Sequence, residues 1–555
     1  MVYQLVISVL LLIYFFSFGL LFKRILPQIN NFFSLTILNG MIGVGLLGYV
    51  IAFVFPLDYF YEISLIVISI VGVFLFKKHF KDFGLFCKTI PWHFYFVLLC
   101  GLVFTVTYPY ILDHFGYYIP TIKWLDYAGY VKGLSNLEWV LVQNSFWHVL
   151  QASINETLDP FYRLNYLLFI VFNLYVIESK SNRLLVFNFL YLFFLNTPSP
   201  DLPVLVLSII ILNEYFINPS QVSKYLFLST IVFIIKPISI LLLFFFLIEF
   251  FRRKDYKILK DRNLFYISVL AIVFCLKGII LSANPLFPLS FTSINNLSWA
   301  SPQSLYNVSQ ATGRFIPLKE LFTYDEVQKM GQIDYLKNVF FGDIFRSRIL
   351  LFIVIFSISV FLLSLINFKK NKLIVILSLS LLVKIMFITI TSPQFRFLLD
   401  VFIIDVFILL TLIKRNIFKT KWILVNLSVM SLMSLLILLP NFWSKYITGI
   451  STLGYITKFD SSFLIKPGQY ENLEFKSDKI GNFKYNYPIN YPLIYSVKVP
   501  AVSVVTLNWY YLNNGFTQQI DASDVKKGFY WKTLNNADKK YIENILKEEQ
   551  KKQVK

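Results

Sequence analysis

Histidine and cysteine are scarce in this chain, and their scarcity narrows the field first. Among 555 residues there are 4 His and 3 Cys. The cysteines, Cys87, Cys100 and Cys275, all lie in or beside apolar runs, so neither a disulfide framework nor a zinc-ligand spacing can be drawn from them. Acidic residues are also in deficit, 31 against 51 Lys and Arg, giving a formal charge of +20. Away from the C-terminal end, most of that excess sits in short clusters between apolar runs. This is how membrane topology is encoded, so nucleic acid is not an expected partner. No basic stretch precedes the first apolar run, and Lys23-Arg24 follow it, which predicts a retained first span rather than a cleaved signal peptide.

Apolar residues, by contrast, are plentiful. The chain is 57% hydrophobic and 19% aromatic, with a mean hydropathy of +0.65. A soluble domain has no interior large enough for that surface, so the bilayer itself must act as solvent. The predicted class is an all-α polytopic membrane protein with about 12–14 spans. Spans are read near 4–22, 35–56, 60–76, 91–108, 161–178, 184–197, 202–217, 263–282, 348–367, 373–392, 397–413 and 422–440. A further run, 225–251, carries Lys236-Pro237 at its centre. Proline removes a helical hydrogen bond, so this run is expected to enter and return as two short segments.

With the N-terminus outside, the basic clusters all fall on the cytoplasmic side, as the positive-inside rule requires. They are Lys23-Arg24; Lys77, Lys78 and Lys81; Lys180 and Arg183; Arg252, Arg253, Lys254 and Lys257; Lys369, Lys370 and Lys372; and Lys414, Arg415, Lys419 and Lys421. The outward segments are then 109–160, 196–203, the break at 236–237, 283–346, 393–396 and the tail 441–555. The predicted organisation is a membrane module over 1–440 and a small extracytoplasmic domain over 441–555. The Lys, Asn, Ile and Phe bias points to an AT-rich bacterial genome, hence a bacterial cytoplasmic membrane with an extracytoplasmic active face.

Those outward segments hold the unusual residues. Segment 109–160 reads as two helices lying in the membrane interface, one opening at Pro120 and one over 144–150 with Asn144 as a candidate cap. Asp113 sits just past a span, and at helical spacing it would share a face with Tyr117. Asp201 follows a proline-rich turn at the start of another span, where it could cap that helix. Lys236, Lys277 and Lys384 lie within apolar runs and Arg396 in a tight outer turn. Charges at membrane depth face a cavity or a partner, and Asp400 and Asp405 are candidate partners. Four cations against two such aspartates point to an anionic ligand, for instance a lipid phosphate.

The run Asp113-His-Phe-Gly-Tyr-Tyr-Ile-Pro-Thr-Ile-Lys-Trp124, with Ser199-Pro-Asp-Leu-Pro203, Ser282-Ala-Asn-Pro-Leu-Phe-Pro288 and Ser392-Pro-Gln-Phe-Arg-Phe397, resembles a bacterial subgroup of membrane proteins related to the GT-C glycosyltransferases. The resemblance covers roughly 100–400 in short motifs. It implies sugar transfer from a polyprenyl-phosphate donor to a lipid-linked or envelope glycan acceptor outside the cytoplasmic membrane. By the same resemblance Asp113 would be the general base, Asp201 would orient the donor sugar or acceptor, and Lys236, Arg396, Lys277 and Lys384 would hold the donor phosphate. His114, Tyr117 and Tyr118 would line the sugar or acceptor. His114 stands where many members carry a second acidic residue, so a divalent metal at Asp113 is disfavoured and no cofactor is expected. Tyr118 and Gln394 also depart from the subgroup pattern, where a histidine and an acidic residue are expected. The rival readings are an O-antigen-type polymerase or ligase, a lipid or solute transporter, and a scaffold.

Overall fold

The computed structural model describes residues 1–27, 29–253, 261–366, 372–413, 419–438 and 460–553. Lys254, Lys257, Lys369, Lys370, Lys414 and Arg415 of the basic clusters, and the first part of the tail, lie outside the described residues.

The chain is predominantly helical, and its long apolar runs form the helices predicted from them. Away from the helix ends the backbone N–H and C=O groups of such runs pair inside the segment, the arrangement a hydrocarbon environment requires. Among the described residues, five helices are long and apolar enough to cross a membrane: Val2–Arg24, Phe33–Ile51, Arg262–Ser282, Phe345–Ile366 and Lys372–Thr391. Others are shorter, such as Trp92–Thr105, Leu164–Glu178, Val222–Ile235 and Lys421–Ile437. The span expected at 184–197 alternates tight and regular helical turns over Asn182–Phe194. Several of these short helices lie deep within the protein, Leu164–Glu178 being buried over almost its whole length. A helix surrounded by protein need not match the full hydrocarbon thickness. The first two helices cross at glycine: a Cβ on Gly40 would fall 1.8 Å from the Phe15 carbonyl oxygen, and one on Gly19 1.9 Å from that of Thr36. Only small residues allow so close an approach.

Two features depart from the expected layout. After Tyr59–Leu75 the chain turns by 85° into the helix Lys77–Cys87, which the basic cluster there had masked. It seats Phe80, Phe83 and Phe86 against Phe16 and Phe33. The two helices expected in segment 109–160, Ile119–Ala128 and Phe146–Ala152, are largely buried in protein. The second is capped by Ser145, whose hydroxyl accepts from the Trp147 N–H, and not by Asn144. A shorter hydroxyl side chain one residue later meets the orphan N–H at the right distance.

Two sets of segments gather at opposite ends of the bundle. At one end Asn196 donates to the Tyr108 carbonyl at 2.9 Å, Ser145 to the Ile235 carbonyl at 2.6 Å and Ser392 to the Gly313 carbonyl at 2.9 Å. At the other, Glu178 accepts from the N–H groups of Phe33 and Ser34 at 2.7 and 2.8 Å, Arg183 donates to the Leu410 carbonyl at 2.9 Å, and Arg262 to the Arg24 carbonyl at 3.0 Å. The first set joins the segments expected outside, the second those expected inside.

The tail belongs to the first end. It contains two antiparallel hairpin-like pairs, Phe475–Ile480 with Phe483–Pro488 and Gly515–Gln519 with Phe529–Thr533, and the helices Val504–Leu512 and Asn536–Gln553. Backbone bonds from Tyr495 to Phe115 (3.0 Å) and Phe529 to Lys132 (2.9 Å) fasten it onto the 109–160 segment, and one from Gly468 to Val106 (2.8 Å) onto the helix end just before it.

Candidate functional site

Four segments far apart in the chain meet beneath the tail. The first is His114–Tyr118, wound as a wide π-helical turn in which the Ile119 N–H donates to the His114 carbonyl. Such turns advance the register by one residue. The residue that shares Arg396 with Asp113 is therefore Tyr118, while Tyr117, which ordinary helical spacing predicts, lies within electrostatic reach of Asp113 without bonding the guanidinium. The second is the proline-rich turn leading to the helix Asp201–Ile217. The third is the break at Lys236, where Val222–Ile235 ends in an extended residue and the chain returns as Ile240–Arg253. The fourth is the tight turn Phe395–Leu398.

Arg396 ties these segments together. Its guanidinium donates to Asp113 Oδ2 and to the Tyr118 hydroxyl, and to Asp201 Oδ2 from Nε at 2.8 Å and from Nη2 at 2.5 Å. Lys236 donates to the other oxygen of Asp201, and its ammonium lies 5.3 Å from the centre of the Phe397 ring. Ser199 donates to Asp201 at 3.0 Å and lies 3.3 Å from the Tyr118 hydroxyl. Asp201 is the first residue of its helix and spends its carboxylate on these side chains, so the capping role is not the one it plays. The side-chain exposures divide the labour: 31% for Asp113 and 25% for Arg396 against 5% for Asp201. Asp113 Oδ1 carries no hydrogen bond among the described residues, and the space beside Gly116 is open.

The remaining predicted residues are distributed around this cluster. His114 is buried, bonded through Nδ1 to the Thr197 hydroxyl at 3.0 Å. Burial, and then the Arg163 guanidinium, hold its imidazole well below the ordinary value. Tyr117 flanks Tyr118, and both rings face His148, at 5.8 and 4.9 Å. Burial, then Lys277, push His148 down to about 3, so that it stands neutral behind the site. Lys277 itself donates to the Asn144 carbonyl at 2.6 Å, between the rings of Tyr49 and Phe274. Lys384 is a buried partner of Asp400, at 2.6 and 2.7 Å from its two oxygens. Asp405 accepts from Ser357 instead of a cation. The count of surplus cations is thus corrected: Lys384 is neutralised by Asp400, and neither it nor Lys277 contacts Asp113 or Asp201.

Sequence reasoning passed over Arg163, which is fully buried. It donates to the carbonyls of Thr105 (2.8 Å), Phe161 (2.7 Å), Asn196 (2.6 Å), Thr107 (3.3 Å) and Gly468 (2.7 Å). The one available signal was a lone arginine directly before an apolar run. Among the described residues no three His, Cys, Asp or Glu side chains gather as a metal would need. Between the two site carboxylates, the position a bridging cation would take is filled by the Arg396 guanidinium.

No curated protein and no solved structure matches the chain. Residues 1–403 match a family described as a domain of unknown function, DUF8201. That range contains Asp113, Asp201, Lys236 and Arg396 and stops short of the tail. With well over half its length matched, the chain belongs to the DUF8201 family.

Proposed function

We propose that this protein is a membrane glycosyltransferase of GT-C type, working at the outer face of a bacterial cytoplasmic membrane. It moves a sugar from a polyprenyl-phosphate donor to a lipid-linked or envelope glycan acceptor. One observation carries the reading: a partly exposed carboxylate, Asp113, shares a guanidinium with a buried carboxylate, Asp201, beside the ammonium of Lys236. The chemistry needs little else. The acceptor oxygen attacks the anomeric carbon, and the bond from that carbon to the phosphate oxygen breaks. Its electron pair leaves with the phosphate, and Asp113 takes the acceptor proton through the oxygen that Arg396 leaves open. Arg396 and Lys236 stabilise the charge that develops on the leaving phosphate. Asp201 aims both cations, and Tyr118 and Ser199 fix their geometry. The reaction draws on no cofactor.

Purified protein, wild type and Asp113→Asn, incubated with radiolabelled polyprenyl-phosphate sugars and a total lipid extract, tests this. Label moved to an acceptor by wild type and lost in the variant, with donor still bound, supports both the reaction and the base. Activity unchanged in Asp113→Asn removes Asp113 from the mechanism. No turnover and no donor binding by wild type transfers the protein to the polymerase or transporter class.

A further inference from the structure

The motif Ser282-Ala-Asn-Pro-Leu-Phe-Pro288 contributes nothing to the Arg396 cluster, and its geometry gives it another task. It follows the span Arg262–Ser282. Ala283 takes a left-handed conformation (φ +55°), its N–H donating to the Ile279 carbonyl at 2.8 Å, and the Asn284 N–H donates to the Gly278 carbonyl at 3.4 Å. This pattern ends a helix and turns the chain back. The loop then runs along the helix it has just left: a Cβ on Gly278 would lie 2.6 Å from the Asn284 carbonyl oxygen and 2.8 Å from that of Pro285. Gly278 stands four residues before the helix end, so the chain has returned about 6 Å along the span. Asn284 holds it there. Its buried amide spends every hydrogen-bonding position it has. Nδ2 donates to the Leu289 carbonyl at 2.9 Å and the Tyr306 hydroxyl at 3.2 Å, and Oδ1 accepts from the Leu286 N–H at 2.9 Å and from the Thr292 hydroxyl. The Ile294 N–H closes the loop on the Ala283 carbonyl at 2.8 Å.

What this well-held loop presents is apolar. Four of the nine residues from 286 to 294 are exposed large hydrophobics: Leu286, Leu289, Phe291 and Ile294, with Phe291 83% exposed. A contiguous apolar group held in the open marks an interaction surface, and its place beside the span names the partner. Ala271 lies seven residues before Gly278, two turns away on the same side of the helix. It is exposed, as are Ser268 and Ile272 next to it. The loop therefore sits above a face of the span that looks onto hydrocarbon. We propose that loop 283–294 is a membrane-dipping element, folded back over a lipid-facing side of its span with Leu286, Leu289 and Phe291 set in the outer leaflet where headgroups meet acyl chains. The chain just beyond the loop clasps the segment that carries Asp113: the Trp299 carbonyl accepts from Asn136 at 3.0 Å, and the Ser301 and Ser135 hydroxyls lie 2.6 Å apart. The element thus fixes the height of that segment at the membrane surface. The inference rests on the outward placement of 283–346 and not on the glycosyltransferase reading.

Full-length protein with Cys87→Ala, Cys100→Ala and Cys275→Ala receives one new thiol, Phe291→Cys, which is labelled with an environment-sensitive fluorophore. It is reconstituted into vesicles of phosphatidylethanolamine and phosphatidylglycerol. Asn296→Cys, at an exposed polar position just past the loop, is the aqueous reference. Leu289→Cys takes the place of Phe291→Cys if that chain melts early in detergent. The label at 291 is expected to emit at shorter wavelength than the label at 296. It should also lose most of its quenching by aqueous iodide and be quenched by phospholipid carrying a doxyl group high on the acyl chain. A label at 291 that iodide quenches as fully as the one at 296 overturns the proposal. A label shielded from both iodide and doxyl lipid overturns it as well, and assigns the loop to a protein partner or a second copy of the chain. Lipid contact at 291 in a protein that transfers no sugar leaves the proposal standing and removes the glycosyltransferase reading alone.

Discussion

Asp113 and Asp201 meet the same guanidinium from opposite surroundings, and the difference sets what each substitution should do. Asp201 is buried and holds two cations and a serine hydroxyl. Asp201→Asn leaves Lys236 and Arg396 undercompensated in the interior, a change that costs about 3–5 kcal/mol where a buried pair is broken. Asp113 is partly exposed, so Asp113→Asn is expected to cost under about 1 kcal/mol while abolishing transfer. Thermal melts in detergent beside the transfer assay separate the two: if Asp113→Asn proves as destabilising as Asp201→Asn, the division of labour is wrong. Arg396→Lys is expected to remove activity as fully as Arg396→Ala, because one ammonium cannot present the planar fork that serves three acceptors. Asp159 supplies a pH test. Burial pushes its carboxyl up to about 7, against the opposing pull of the Arg163 backbone and the Gln151 amide. Its unfolded form ionises near 4, so between about 4 and 7 the unfolded state releases the proton first, and stability falls as pH rises. Asp159→Asn retains an acceptor for Gln151 and should gain stability relative to wild type as pH climbs through that window. A difference in melting temperature independent of pH would refute this.

Among the elements, the π-helical turn decides which side chain serves Arg396. Tyr118→Phe removes a buried hydroxyl placed between Arg396 and Ser199, at a cost of about 1–3 kcal/mol, whereas Tyr117→Phe should leave melting nearly unchanged. Equal effects on melting would mean that the turn is an ordinary helix. The same segment sets up a glycine contrast: Gly116→Ala meets open space and should be tolerated, while Gly129→Ala puts a Cβ 2.4 Å from the Ala52 carbonyl oxygen at a φ of +69°. Helix positions and the break at Lys236-Pro237 were legible because apolar periodicity and lone charges are local signals, whereas the grouping of Asp113, Asp201, Lys236 and Arg396 was implied by the resemblance, which also drew in Lys277 and Lys384. The choice of Tyr118 was not legible, because spacing arguments assume 3.6 residues per turn. Nor was the helix Lys77–Cys87, whose lysines read as a connector. The Lys384–Asp400 pair was foreseen as an alternative, but deciding for it required knowing how two helices face each other, which no single segment encodes.

In the whole molecule, Arg163 joins the end of one helix, the Asn196 turn and the tail, with every bond ending on a backbone carbonyl. Arg163→Lys keeps the charge but not the fan of donors, and should loosen the tail: limited proteolysis is expected to cut near Gly468 faster than in wild type, and an unchanged cleavage pattern would deny Arg163 that role. The tail was read as a small domain over 441–555, but its docking was not, because its contacts with Phe115, Lys132 and Val106 are backbone bonds, which any residue can make. One consequence concerns the order in which the chain is made. Asp201 is synthesised 195 residues before Arg396, which at about 5–20 residues per second is a wait of roughly 10–40 s. During that interval Lys236 is the only one of its two cationic partners available, and Asp113 has none of its own. Ribosome-bound chains stopped before residue 396 therefore hold two aspartates that still lack their guanidinium, and the site is finished only when the last third of the protein arrives.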